Sequence, residues 1–302
     1  MNPDLAYDTA CKSSVRIPHL EKIILQDCFV TYNYIIKHLK FRWDEGEDVI
    51  CENGTLSLRY AVRFLKGERF YKGEAAIARN LSLVIDYAKF VIKGRWTEVE
   101  ANFAHDPLSA VNYAAEVIQG PWPEMEDVIA NHSVAAYDYT ERILGKRWLK
   151  GEKSIINEGY LAALYARDCI KDRWLEAEPN ILTDPDAICT YAEDVIGDRW
   201  IEAEPLLLAD PDAACEYAKN VILGRWPEAE AIIATKAYPS YSYAIWSLED
   251  RFYAGERAIY LGLGTEDEYE RQSYIEEYVD AFGISSSELG CDFNVCWQKE
   301  GF

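Results

Sequence analysis

Tryptophan recurs along this chain at one interval. Trp96, Trp122, Trp148, Trp174, Trp200 and Trp226 follow one another at steps of 26 residues, and one further step reaches Phe252. Upstream the register passes through Phe70, slips by one residue to Trp43, and after another step of 26 reaches Ile17, still preceded by Arg16. Self-similarity at a fixed period is the signature of a stacked repeat array, in which each unit contacts only its neighbours. The chain must therefore be read as copies of one short unit.

The copy anchored at Trp226 has two segments. Asp210 before Pro211 places an N-cap ahead of a proline whose missing N–H does no harm in a first turn. Asp106-Pro107 and Asp184-Pro185 repeat the device. Ala214, Tyr217, Ala218, Val221 and Ile222 follow the three-and-four spacing of one buried helix face. Gly224 is the expected stop, because glycine takes the left-handed conformation without steric cost. Gly94 and Gly120 share its place, Gly67, Gly145 and Gly197 lie one residue earlier, and Asp172 and Asp250 are expected to substitute. The second segment, Trp226 to Ala234, opens with Pro227 and with glutamates that favour the positive end of a helix dipole. A helix of about nine residues does not persist alone in water. It must be held by Trp226, Ile232 and Ile233 packing on neighbours. The expected fold is all-α: an α-solenoid of short helical hairpins with a 26-residue period.

Three polar positions recur with the anchor. Tyr34, Tyr87, Tyr113, Tyr139, Tyr165, Tyr191, Tyr217 and Tyr243 lie nine residues before it, and Tyr60 lies ten before Phe70. Arginine directly precedes the anchor in every copy except at Pro121. Glutamate follows four residues after it in all nine copies, from Glu47 to Glu256. One such carboxylate invites a catalytic reading. Nine in register read as a building rule, a ladder of Glu–Arg or Glu–Tyr hydrogen bonds between hairpins.

The chain divides into residues 1–28, a lead-in and capping half-repeat with helical Leu20, Ile23 and Ile24; 29–260, the array; and 261–302, a capping helix and tail. The extra residue near Glu68 belongs in the turn between that copy's helices, where insertions are tolerated. Pro121-Trp122-Pro123 loses the arginine, so its ladder is expected to break, and Asn157-Glu-Gly-Tyr160 replaces the Asp-Pro start. Leu261–Thr265 carries glycines but no Walker lysine, which argues against a phosphate loop. Thr265 and Glu268 fit a capping box opening a last helix to Phe282, whose Tyr269, Tyr274, Ile275, Tyr278 and Phe282 should cover the end of the array. Residues 283–290 read as a loop, and Cys291–Phe302, with Phe293, Val295 and Trp297, is apolar enough to dock.

No apolar run approaches the roughly eighteen residues of a membrane span, and the N-terminus lacks the basic and apolar regions of a signal peptide, so a soluble cytoplasmic protein is expected. The eight cysteines suit free thiols, with Cys169, Cys189 and Cys215 inside first helices. Neither Cys291–Cys296 nor the scattered His19, His38, His105 and His132 has metal-ligand spacing, and no cofactor is expected. Charge is more informative. Residues 1–165 hold 23 acidic and 20 basic side chains, a net of -3, whereas 166–302 hold 29 and 11, a net of -18. That asymmetry argues against nucleic-acid or anionic-membrane binding and for a basic partner on the C-terminal half. The plainer alternative is that surplus acid keeps a stacked helical protein soluble.

The string Tyr-Ala-x-x-Val-Ile-x-Gly-Arg-Trp-x-Glu-Ala-Glu, complete at Tyr217–Glu230 and nearly so at Tyr87–Glu100, resembles a short helical repeat of uncharacterised proteins of large tailed bacteriophages and giant viruses. It covers residues 30–260 and is similar in plan to tetratricopeptide and Sel1-like hairpins, though shorter. The resemblance implies a viral protein working in the cytoplasm of an infected cell; it transfers no catalytic residue.

The leading functional expectation is a non-enzymatic protein-interaction module. In its sharper form, the acidic half imitates the phosphate row of DNA and blocks a basic host nuclease or other DNA-binding defence protein. The candidate residues are acids that neither helix periodicity nor the repeat rule requires: Asp168, Asp172, Asp186, Glu193, Asp194, Asp198, Asp212 and Glu216. The alternatives are a scaffold that docks a partner by apolar contact, or an enzyme using an acid pair such as Glu193 and Asp194.

Overall fold

The structure, a computed structural model, describes residues 1–13, 15–265 and 267–289. Among these residues every regular element is a helix, and neighbours in sequence pack on one another, so the fold is the all-α repeat solenoid expected from the 26-residue period. The helices group into two compact units, Met1–Gly151 and Glu152–Phe302.

In the second unit the copy anchored at Trp226 shows the local rules. Helix Pro211–Tyr217 is capped by Asp210, whose Oδ1 accepts the N–H groups of Asp212 and Ala213 at 2.9 and 3.2 Å. The chain then widens into one π-helical turn, Ala218–Ile222, and stops at Leu223 with φ 56°. The left-handed residue is thus one earlier than Gly224. It stands three residues before each anchor, as Gly67, Gly145 and Gly197 in three copies but as Lys40, Lys93, Gln119, Lys171, Leu223 and Glu249 in the others. The closure of the last turn decides the place: the Leu223 N–H reaches Ala218 O five residues back, whatever side chain Leu223 carries. Gly94, Gly120 and Gly224 have no such duty, and a Cβ on any of them would meet nothing within 4 Å. Nor do Asp172 and Asp250 replace a left-handed glycine. Together with Asp198 they accept the N–H of the following arginine at 2.8, 2.7 and 2.7 Å.

The second segment is not one helix of nine residues. It is a 3-10 turn, Pro227–Ala229, followed by a single α-helical turn, Glu230–Ile233. Helix Gly159–Tyr165 lacks a side-chain cap, consistent with its missing Asp-Pro start, and its Gly159 is needed because a Cβ would lie 2.5 Å from the Asn180 carbonyl oxygen. In the first unit, Gly54–Phe64 stays α-helical and the extra residue is absorbed in the turn, where Lys66 and Gly67 are both left-handed.

The core is a row of aromatic pairs. Trp96, Trp122, Trp174, Trp200 and Trp226 are buried, whereas Trp148, the last anchor of the first unit, is half-buried. Each tyrosine ring leans on the anchor of its own copy, as for Tyr191 on Trp200 at 5.2 Å and Tyr217 on Trp226 at 5.3 Å between centroids.

The ends depart from the sequence reading in instructive ways. The lead-in contains a helix, Pro3–Ala10, capped by Asn2 and buried through Ala6 and Ala10. Its eight residues are too few to show a periodicity. The half-copy after it is functional as structure: Arg16 and Tyr34 both bond Glu21, at 2.8 and 3.0 Å. At the other end the last helix is Glu268–Phe282 as expected, but its cap is Asp267, which accepts the Tyr269 N–H, and not Thr265. Tyr278 and Ile275 are buried there while Tyr269 points outward, because only one face of the helix meets the array. Residues 286–289 form a helical turn that buries Leu289 where a loop was expected. The docking expected of Cys291–Phe302 lies outside the described residues. Among the described residues no helix is long and apolar enough to cross a membrane.

Candidate partner-binding surface

The acids of the second unit fall into two sets. The recurrent glutamates are committed to the fold. Glu204 accepts two bonds from Arg199, both 2.7 Å, and one from the Tyr217 hydroxyl at 3.4 Å. Glu178 takes Arg173 at 2.8 Å and Tyr191 at 3.1 Å, and Glu230 takes Arg225 at 2.6 Å and Tyr243 at 3.4 Å. These carboxylates tie the start of one copy's second segment to the first helix of the next. In the first unit, Glu126 lacks its arginine at Pro121 but keeps Tyr139 at 3.4 Å and faces Lys150 at 3.8 Å, so a lysine of the following copy partly restores the rung.

The eight sequence candidates have other surroundings. Asp172 and Asp198 sit in turns as acceptors for backbone N–H groups. Asp168 and Asp194 share Arg167, at 2.8 and 3.3 Å, and Asp212 pairs with Lys236 at 2.6 Å. Hydrogen bonding to Asp168 first, and then to Asp194, raises the Arg167 pKa. Glu216 has only looser neighbours, Lys219 at 3.6 Å and the Asn220 amide at 3.4 Å. Asp186 and Glu193 are exposed, and their carboxylates form no ion pair among the described residues.

Asp186, Glu193 and Glu216 come together around one shallow depression of 290 Å³, walled also by Tyr160, Cys189, Thr190 and Asn220. The repeat explains the convergence. Tyr160 and Asp186 stand 14 residues before their anchors, so they lie on corresponding outer positions of successive first helices. Cys189 reports the local field: its thiol is pushed up to about 12, by burial first and then by Asp186, Glu216, Asp210 and Glu193. Its Sγ is turned inward and donates to Ala213 O at 3.4 Å, so it is packing and not a nucleophile facing the depression. A cationic group entering there meets three carboxylates and one aromatic wall.

Tyr160 was absent from the sequence candidates, although its register with Asp186 was available. The cations that divide the acids were also missed, because Arg167 and Lys236 act on residues 27 and 24 positions away. Among the described residues no group of three or more His, Cys, Asp or Glu side chains is placed to hold a metal ion. Comparison of the chain with protein-family models, with curated proteins and with solved structures finds no match.

Proposed function

We propose that the protein is a non-enzymatic interaction module that docks a basic partner on the acidic face of its second unit. The observation that carries this reading is the trio Asp186, Glu193 and Glu216 at one depression, two of them without an ion pair among the described residues. The fold does not explain these acids, whereas it explains Glu178, Glu204 and Glu230 fully. An arginine or lysine of the partner is the group that suits the trio, with Tyr160 as a surface for a guanidinium to lie against.

The resemblance to viral repeats supports a sharper form, in which the partner is a host DNA-binding defence protein. In that form Asp168, Asp194 and Asp212 contribute to a wider negative field although each is paired locally. A pull-down from lysate with the immobilised protein tests both levels. A partner eluted by salt and displaced by duplex DNA supports mimicry. A partner eluted by salt but indifferent to DNA supports the acidic docking surface alone. Retention at high salt contradicts both and favours apolar docking.

A further inference from the structure

In two copies the arginine that precedes the anchor does more than bond its own glutamate. In the first unit Arg69 gives Nε and Nη2 to Glu74, at 2.7 and 2.9 Å, and its Nη1 reaches Glu98 of the next copy at 3.1 Å. Arg95 pairs with Glu100 at 2.6 Å, and its Nη2 comes within 3.7 Å of Glu124 without a hydrogen bond. Glu98 and Glu124 both stand two residues after an anchor. In these two copies a cross-repeat carboxylate is thus part of the arginine's surroundings.

At Phe252 the residue in that place is Ala254. Arg225 still gives Nε and Nη2 to Glu230, at 2.6 and 3.1 Å, but its Nη1 has no partner among the described residues, and its side chain is 68 % exposed. Arg225 and Ala254 line the same cavity, of 520 Å³, together with Ser247, Leu248, Arg251, Tyr253 and two carboxylates that are already engaged, Glu230 by Arg225 and Asp250 by the Arg251 N–H. Arg251 is engaged by Glu256 at 2.7 Å and lies over the Tyr253 ring at 4.5 Å, so it shapes the wall. Ser247 is an independent sign. It occupies the register held by Val91, Val117, Val195 and Val221 in other copies, it is nine-tenths buried, and its hydroxyl finds no hydrogen-bond partner among the described residues.

We infer that this cavity is a binding site for a carboxylate, taken by Nη1 of Arg225 in the place that Glu98 fills beside Arg69. A carboxylate suits it because that is the group to which Nη1 of Arg69 donates in the same geometry. The Tyr253 and Leu248 side chains favour a ligand whose carboxylate is attached to an apolar or aromatic body. The site is distinct from the acidic depression and does not depend on it.

Titration of the whole protein with sodium acetate, at constant ionic strength set with sodium chloride, tests the site through the Arg225 Nε–Hε NMR signal. The expected result is a saturable shift with acetate and none with chloride. Ala254→Glu, which tethers a carboxylate to the cavity, should abolish the acetate response at least tenfold in apparent affinity and raise the melting temperature. A capped Tyr-Glu dipeptide binding tenfold more tightly than acetate places the natural carboxylate on a polypeptide; equal affinity places it on a small molecule. Equal shifts with acetate and chloride, or an acetate response unchanged in Ala254→Glu, overturn the inference.

Discussion

The Tyr217 hydroxyl stands 2.6 Å from the Trp200 backbone nitrogen, whose N–H it accepts, while its ring packs on Trp226 of its own copy. One side chain thus joins two successive copies through a polar end and an apolar body. The same bond recurs from Trp174 to Tyr191 and from Trp226 to Tyr243, each at 2.6 Å. At the end of the second unit Tyr278 takes over the role from the last helix, accepting from Phe252 at 2.9 Å and donating to Glu256 at 3.0 Å.

Tyr217→Phe keeps the ring and removes the hydroxyl. It leaves the Trp200 N–H buried without its acceptor, so the variant should lose about 1–3 kcal/mol of stability in urea unfolding. No measurable loss would show that the hydroxyl bond is incidental.

Trp174→Ala removes an indole that is 2 % exposed and should destabilise by about 3–5 kcal/mol. A chemical-denaturation midpoint equal to that of the native chain would contradict its place in the core.

Leu223 is the opposite case. It holds φ 56° with a side chain 77 % exposed, so it carries backbone strain and little packing. Leu223→Gly should relieve about 1 kcal/mol of that strain, less the entropy glycine adds to the unfolded chain. A net gain in midpoint is expected, and a clear loss would mean that the leucine contributes contacts beyond the turn.

The tyrosine ladder also sets an alkaline limit. Burial, followed by the nearby Glu178 and Glu204 carboxylates, pushes Tyr191 and Tyr217 up to about 12 from the usual 10. A phenol with a raised folded pKa favours the fold while protonated, so its contribution is complete below pH 10 and is lost as pH rises toward 12. Urea midpoints should therefore be lower at pH 11 than at pH 9. Equal midpoints would contradict coupling between phenol protonation and folding.

The period, the helical class and the Tyr–Glu–Arg ladder were legible because each is stated many times in the sequence. Glu204 could be assigned to the framework from register alone, and the structure gives it Arg199 and Tyr217. Single-copy features were less legible. Leu223 is left-handed against its own propensity because the hydrogen bond closing the π-turn fixes the backbone there. Asp194 and Asp212 looked equivalent to Glu193, yet Arg167 and Lys236 pair with them across repeats. Helix periodicity places a residue on a face but does not name the residue opposite it on the neighbouring helix.

The division between framework and surface carboxylates is tested most directly by the salt dependence of partner binding. Wild type is compared with the triple variant Asp186→Asn, Glu193→Gln, Glu216→Gln, using the partner captured at low salt. Asp194 and Asp212 are left intact because their ion pairs belong to the array. The account predicts weaker binding and a shallower slope of log affinity against log salt in the variant, with the urea midpoint unchanged. Unchanged affinity and slope, with the variant folded, would contradict it.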